Sequence, residues 1–234
     1  MAKWRRVASR AWLLHRLERE GEQTVVAHIS PLRALGNPLV WVLTVPYFAY
    51  YTLGLGYVLW APTLVRDALG TSYAATGFIT GSIALLAALV YPIAAMASDR
   101  WDERCGFAAL GLAIGCAGCV GAALFPHSLL RLASIVGMAM CSPVFLASFW
   151  CLPTKFLKGT SAAAGIALIS AIGSSGGFFG PSIIGFVKQR TGSDAGAFIA
   201  LAGLALIGGL VCAGLRQIAV FKSRRGVIGA AAAI

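Results

Sequence analysis

Long apolar runs separated by short charged segments make up most of the chain. Each run has at least the roughly 20 residues that an α-helix needs to cross a hydrocarbon core about 30 Å thick. Lipid leaves unpaired backbone groups unsatisfied, so each run is predicted to be a helix. The pattern therefore predicts an all-α membrane protein whose transmembrane domain, residues 35–215, has six spans at 37–62, 73–97, 106–125, 129–152, 161–187 and 195–215.

Charged residues concentrate in the flanking segments, 1–34 and 216–234. Residues 1–34 lack the apolar stretch of a secretory signal, and we expect either an amphipathic helix on the membrane surface or a solvated linker. Residues 216–234 are predicted to be a basic tail. An overall content of 59% hydrophobic and 12% charged residues agrees with the membrane class.

The net charge of +11 indicates topology rather than nucleic-acid binding. With six spans, both ends of the chain lie on one side, together with fifteen of the nineteen basic residues. The positive-inside rule then predicts that both termini are cytoplasmic, in a multi-pass protein of the inner (plasma) membrane. The other side holds only Arg66, Arg131, Lys188 and Arg190.

Catalytic and metal-binding patterns are missing from the spans. Cys116 and Cys119 form a CxxC pair, but no second pair or nearby histidine completes a zinc site. No acid, base or lysine lies in the interior of any predicted span, as intramembrane chemistry would require. We therefore predict no enzyme activity, no metal and no cofactor.

Tyrosines follow one face of the first span. Tyr47, Tyr50, Gly54 and Tyr57 fall at i, i+3, i+7 and i+10, and Tyr51 stands beside them. A phenol at mid-membrane needs a hydrogen-bond partner, which either a neighbouring helix or a ligand supplies. Both interpretations stay open at this point.

Glycines are dense in the fifth span, where they form two overlapping GxxxG pairs followed by a proline. Such pairs let helix backbones approach closely in lipid. The alternative is a span that bends during a transport cycle, with the proline as a local breaker. The residues concerned are Gly173, Gly176, Gly177, Gly180 and Pro181.

Mixed charges fill the short segment between the second and third spans, which reads SDRWDER. Opposite charges there can lock the helix ends in one conformation and release them in another, or form a solvated loop with weak surface pairs. The sixth span has no polar side chain, and we expect it to face lipid.

Four motifs resemble the second half, spans seven to twelve, of a major facilitator superfamily transporter of the anion:cation symporter family. They are Arg10-Ala11-Trp12-Leu13 with Arg16-Leu17-Glu18; Tyr47-Phe48 with Trp60 and Pro62; Ser98-Asp99-Arg100 with Glu103-Arg104; and Phe149-Trp150 through Gly180-Pro181. The last is the most specific. Asp102 and Ala95 stand where the family's loop has glycines, and Tyr51, Ser170 and Ser174 where members often have asparagines.

The resemblance implies proton-coupled symport of small organic anions by alternating access. Substrate would bind between two six-span halves, so the partners would be a bilayer, an organic anion, a proton, and a missing first half or a homodimer partner. Cavity-lining hydroxyls are expected from Tyr47, Tyr50, Tyr51, Ser148, Ser170 and Ser174. The inner gate is expected from Asp99, Arg100, Glu103 and Arg104.

Two other interpretations remain open. The chain is the inactive remnant of such a transporter, or it is a small structural or channel-like protein that works as a symmetric oligomer.

Overall fold

The computed structural model describes residues 35–125, 129–157 and 160–231. The segment 1–34 and His127 lie outside the described residues. Six helices in the described part are long and apolar enough to cross a membrane, which confirms the predicted fold class. The helices are Pro38–Leu69, Tyr73–Arg100, Arg104–Leu124, Leu129–Phe149 followed by Cys151–Phe156, Thr160–Ser174 followed by Gly176–Thr191, and Ala195–Ala231.

The first span begins and ends at residues suited to helix termini. The side chain of Asn37 caps the start by accepting a hydrogen bond of 3.0 Å from the Leu39 amide. The helix ends at Gly70, whose φ of 63° is the left-handed conformation that glycine adopts without strain. Arg66 and Asp67, which follow the predicted end of this span at residue 62, therefore lie in the last turn of the helix.

The third and fourth spans form a close backbone contact. A Cβ placed on Gly111 would lie 2.6 Å from the Phe145 amide nitrogen, and one on Gly118 would lie 2.7 Å from that of Met138. These glycines thus let two helices approach to backbone distance, as small residues do in membranes. The core lies between the first, third, fourth and sixth spans.

The sixth span corrects our expectation that it faces lipid. One face, which includes Phe198, Leu201 and Cys212, is buried against the first and third spans. A Cβ on Gly208 would lie 2.9 Å from Cβ of Ala49 in the first span. The sequence did not predict this buried face, because a wholly apolar helix has no polar residues that distinguish the side facing lipid from the side facing protein.

The fifth span is interrupted at Ser175, between its two helical segments. The Phe178 amide donates to the Ser175 carbonyl at 3.0 Å, three residues back instead of four. Pro181 lies inside the second segment. The irregular turn is therefore at Ser175, within the overlapping glycine pairs, and the helix continues through the proline.

Candidate functional site

The tyrosine face of the first span packs on two stacked phenylalanines of the fourth. The Tyr47 ring stacks on Phe149 with centroids 5.0 Å apart, and the Tyr50 ring stacks on Phe145 at 4.8 Å. Phe145 and Phe149 are one helical turn apart and stack on each other. Tyr47 is only 5% exposed, so this phenol belongs to the core.

A cavity of about 300 Å³ opens beside Tyr50, between the first, second and fourth spans. The Tyr50 hydroxyl is 3.0 Å from the hydroxyl of Ser142 in the fourth span. The walls of the cavity are uncharged and mostly apolar or phenolic. They are formed by Tyr50, Tyr51, Gly54, Leu55, Tyr57, Val58, Ala84, Ala87, Met138, Ala139, Cys141 and Ser142. Of the six predicted lining residues, this cavity includes Tyr50 and Tyr51.

Ser148 lies away from the cavity. It is fully buried and donates a hydrogen bond of 3.0 Å to Ser98, which is also fully buried. Ser98 is the first residue of the charged segment and lies in the last part of the second helix, so this pair ties the fourth span to the end of the second. The Ser148 hydroxyl therefore joins the fourth helix to the second.

The predicted serines of the fifth span also lie outside the cavity walls. Ser174 is exposed and donates back to the Ala171 carbonyl at 3.2 Å, whereas Ser170 is half-buried. The neighbouring Ser175 donates to the Ile172 carbonyl at 2.6 Å. Two of these hydroxyls thus bond their own helix beside the irregular turn.

The glycine face of the fifth span packs directly on the tyrosine span. A Cβ on Gly173 would lie 2.5 Å from Cδ1 of Tyr47, and one on Gly176 would lie 2.5 Å from the Phe48 carbonyl oxygen. On Gly177 a Cβ would overlap the Leu55 side chain, and on Gly180 it would overlap a backbone carbonyl of the first span. Close packing therefore explains each of these four glycines in this conformation.

Ion pairs join the charged loop to its own bundle. Asp99 pairs with Arg104 across the loop, the Lys155 ammonium lies 2.9 Å from Asp102, and Arg216 lies 2.8 Å from Glu103. The loop is thereby linked to the ends of the fourth and sixth spans. The hydrogen bond from Lys155 holds the pKa of the Asp102 carboxyl below its usual range.

Two details of this loop bear on its predicted gating role. Asp102 has a φ of 47°, which is the left-handed conformation that glycine adopts most easily. The backbone of Asp102 is therefore left-handed at a position where the family that the chain resembles has a glycine. Arg100 is exposed and has no ion-pair partner among the described residues. It is thus the loop charge that remains available for a partner.

At the opposite end of the bundle, a buried ion pair joins the fourth and sixth spans. Arg131 is 2% exposed, and its guanidinium donates to the Asp194 carboxylate at 2.6 Å. Sequence reasoning missed this pair, because both residues lie at the edges of apolar runs and read as loop charges. Asp67 and Lys188, 3.0 Å apart, join the first and fifth spans at the same end.

Potential metal ligands do not converge in the part of the chain that the structure describes, where no group of three or more His, Cys, Asp or Glu is suitably placed. Cys119 and Cys141 are buried and free.

Comparison with known proteins relates the chain to transporters, although no family model matches it. It is 36% identical over 222 residues to a putative tartrate transporter of Agrobacterium vitis, covering 90% of this chain and 46% of the relative. It is 33% identical over 208 residues to a quinolone resistance transporter of Acinetobacter baumannii, and the alignment covers 88% of this chain and 48% of the relative. It is 32% identical over 210 residues to the inner membrane transport protein RhmT of Escherichia coli (strain K12), and the alignment covers 87% of this chain and 47% of the relative.

The chain spans about half the length of these curated relatives. Each relative is named as a transporter, and each alignment runs over most of this chain. Together with the six apolar helices, these matches identify the chain as a multi-pass membrane protein related to transporters.

Proposed function

We propose that the chain is the second six-span half of a major facilitator superfamily transporter of the anion:cation symporter family. This proposal is carried by the alignment, in which about nine-tenths of the chain matches about half the length of a transporter such as the Agrobacterium vitis protein. The substrate would be a small organic anion, moved with a proton by alternating access. Two relatives are named putative tartrate transporters, which supports an organic acid as the substrate.

The proposed orientation places both termini on the cytoplasmic side of the inner (plasma) membrane. Lys155 and Arg216 contact the charged loop, so these basic groups share one end of the bundle with it. The positive-inside rule makes that end cytoplasmic.

The proposed substrate site is the cavity between the first, second and fourth spans, with the serines of the fifth span as candidates outside it. Tyr50 and Tyr51 line an open cavity, which favours them over Tyr47 and Ser148, whose positions are buried in helix contacts. Ser174 is exposed on the fifth span, and we take it as a candidate for contact with a second half. Ser170, half-buried on the same helix, stays a weaker candidate.

The proposed inner gate is the charged loop. Asp99, Glu103 and Arg104 pair within this chain and would keep its helix ends together as the halves rock. Arg100 would then pair with the other half in one conformation and separate from it in the other.

Substitution of the cavity tyrosines tests this site. In an assembly that takes up an organic acid, the double change Tyr50→Phe and Tyr51→Phe removes two hydroxyls while keeping both rings. We expect uptake at low substrate concentration to fall about tenfold or more, since losing hydrogen bonds in a desolvated site costs about 1–3 kcal/mol. Tyr73→Phe is the matched control, because Tyr73 is 81% exposed and lies outside the cavity. Unchanged uptake in the double variant would remove these tyrosines from the substrate site.

A further inference from the structure

The end of the bundle opposite the charged loop, which we call the outer end, carries more positive than negative charge. Its charged residues are Arg66, Asp67, Arg131, Lys188, Arg190 and Asp194. Each of the two acids is already paired with a base from another span. Arg66 and Arg190 are exposed, and neither makes an ion pair with any residue that the structure describes. These two arginines therefore hold the excess positive charge of the outer end.

Each of the two arginines lies over an aromatic ring. The guanidinium carbon of Arg66 is 4.6 Å from the centre of the Tyr73 ring, and that of Arg190 is 5.3 Å from the centre of the Phe186 ring. The face of an aromatic ring attracts a guanidinium and leaves its N–H donors free to point elsewhere. Both groups are thus positioned by their rings and can still donate paired hydrogen bonds to a carboxylate.

The arginines flank the junction between the first and fifth spans. The Lys188 ammonium, 3.0 Å from the Asp67 carboxylate, joins the ends of these spans. Arg66 precedes Asp67 directly, and Arg190 lies just after Lys188. The first span also lines the cavity as far as Val58. At 1.5 Å per helical residue, Arg66 lies about 12 Å beyond Val58 along the axis. The positive charge is therefore near the outer end of the cavity.

Two kinds of anion could use these arginines, a lipid phosphate or a free organic anion. A phosphate that stayed bound would cancel the charge permanently. The arginines lie on the first span, which lines the cavity with Tyr50 and Tyr51, and on the fifth span, which packs directly on it. This place beside the candidate substrate groups favours the free anion.

We propose that Arg66 and Arg190 form a capture site at the outer end, which attracts the carboxylate of an organic anion before it enters the cavity. The inference rests on the proposed function, which supplies the identity of the anion and makes the outer end extracellular. It assigns the first encounter with substrate to two residues. Because the attraction is electrostatic and exposed, salt should weaken it.

Thiol labelling of the purified chain tests the charge at this site without requiring transport. Gln189 is exposed and lies between Lys188 and Arg190. A Gln189→Cys variant in phosphatidylcholine nanodiscs would be labelled with an anionic and a cationic methanethiosulfonate. Each rate would be divided by that of the same reagent with a free thiol, and the chain without this variant gives the background of native cysteines.

We expect the anionic reagent to react at least about threefold faster than the cationic one at low ionic strength, since a positive surface potential concentrates anions. The difference should vanish between about 10 mM and about 1 M salt, as the Debye length falls from about 30 Å to about 3 Å.

Charge-removing and charge-conserving variants supply the matched comparison. With Arg66→Gln and Arg190→Gln together, the ratio of the two rates should fall to about one, because the unpaired charges are gone. With Arg66→Lys and Arg190→Lys together, it should stay within about twofold of the parent, because both charges remain.

Uptake kinetics test capture itself. In an assembly that takes up an organic acid, the double glutamine variant should lower kcat/KM about tenfold at low ionic strength and leave kcat within about twofold, because capture precedes the transport step. The double lysine variant should keep most of kcat/KM, and high salt should remove the difference between the variants.

Several results would overturn the proposal. Equal labelling rates in the parent would show that the charge is already cancelled, as by a lipid phosphate. A ratio that survives both glutamine substitutions would place the charge elsewhere, and a loss of kcat equal to that of kcat/KM would assign the arginines to a later step.

The capture site and the transporter fail separately. Uptake that is indifferent to both arginines at low ionic strength overturns the capture site and keeps the transporter. A labelling ratio that depends on both arginines, in a chain that transports nothing in any assembly, supports the anion-attracting site and overturns the transporter.

Discussion

Gly180 lies where even a methyl group would collide with the neighbouring helix. A Cβ at this position would overlap the backbone carbonyl of Thr52, and the Gly56 amide nitrogen lies 3.1 Å from it. A backbone atom cannot rotate away as a side chain can. The first and fifth spans must therefore separate if this position gains any side chain.

Substitution of this glycine gives a residue-scale prediction. Gly180→Ala should lower the free energy of unfolding by about 1–3 kcal/mol, because overpacking forces the helices apart. Gly203→Ala is the control, since its Cβ would meet nothing within 4 Å. The control should be neutral or slightly stabilising, by up to about 1 kcal/mol from helix propensity. Equal stabilities of the two variants in denaturant titration would contradict the packing interpretation.

Residue patterns predicted some site positions and not others. The i, i+3, i+7, i+10 spacing that starts at Tyr47 predicted that Tyr50, Gly54 and Tyr57 share a face, and all three line the cavity. The same spacing included Tyr47, which is instead covered by Phe149. Burial depends on what the opposing helix presents, and one helix's sequence does not contain that information.

At the scale of the helices, the Arg131–Asp194 pair is the most buried ion pair in the part of the chain that the structure describes. Both side chains are nearly inaccessible, at 3% and 10% exposure. The Asp67–Lys188 pair at the same end is more open, at 35% and 30%. Buried pairs depend on both partners, because removing one leaves an uncompensated charge, whereas open pairs contribute little.

These two pairs predict different costs. Asp194→Asn should lower the free energy of unfolding by about 3–5 kcal/mol, because it removes the carboxylate charge that pairs with the buried Arg131 guanidinium. Asp67→Asn, the same chemical change in an open pair, should cost less than about 1 kcal/mol. Thermal unfolding in one detergent measures both. A cost for Asp194→Asn no larger than that of the control would show that the pair does not hold the fourth and sixth spans together.

The number of spans was predictable because bilayer thickness fixes the length of an apolar run. Helix ends were less so: the first helix continues through Arg66 and Asp67 to its Gly70 cap. The interruption at Ser175 was also missed, although the fifth span's proline had been read as a breaker. Serine hydroxyls that bond the preceding turn compete with the helix, and composition does not show which serine does so.

At the scale of the whole molecule, links between helices lie at both ends of the bundle. The charged loop connects the second, third, fourth and sixth spans at one end, and two ion pairs connect the first to the fifth and the fourth to the sixth at the other. We expect such a bundle to move as one unit. A transporter cycle would then consist of this unit rocking against a second unit, consistent with relatives about twice as long.

Uptake by proteoliposomes tests the account most directly. The chain would be reconstituted alone and together with the unmatched half of a relative such as the Agrobacterium vitis protein, and uptake of labelled organic acids would be followed with and without an inward proton gradient. We predict saturable, gradient-driven uptake only when both units are present. Saturable uptake in neither preparation, or ion conductance by this chain alone without saturable uptake, would contradict its role as half of a symporter.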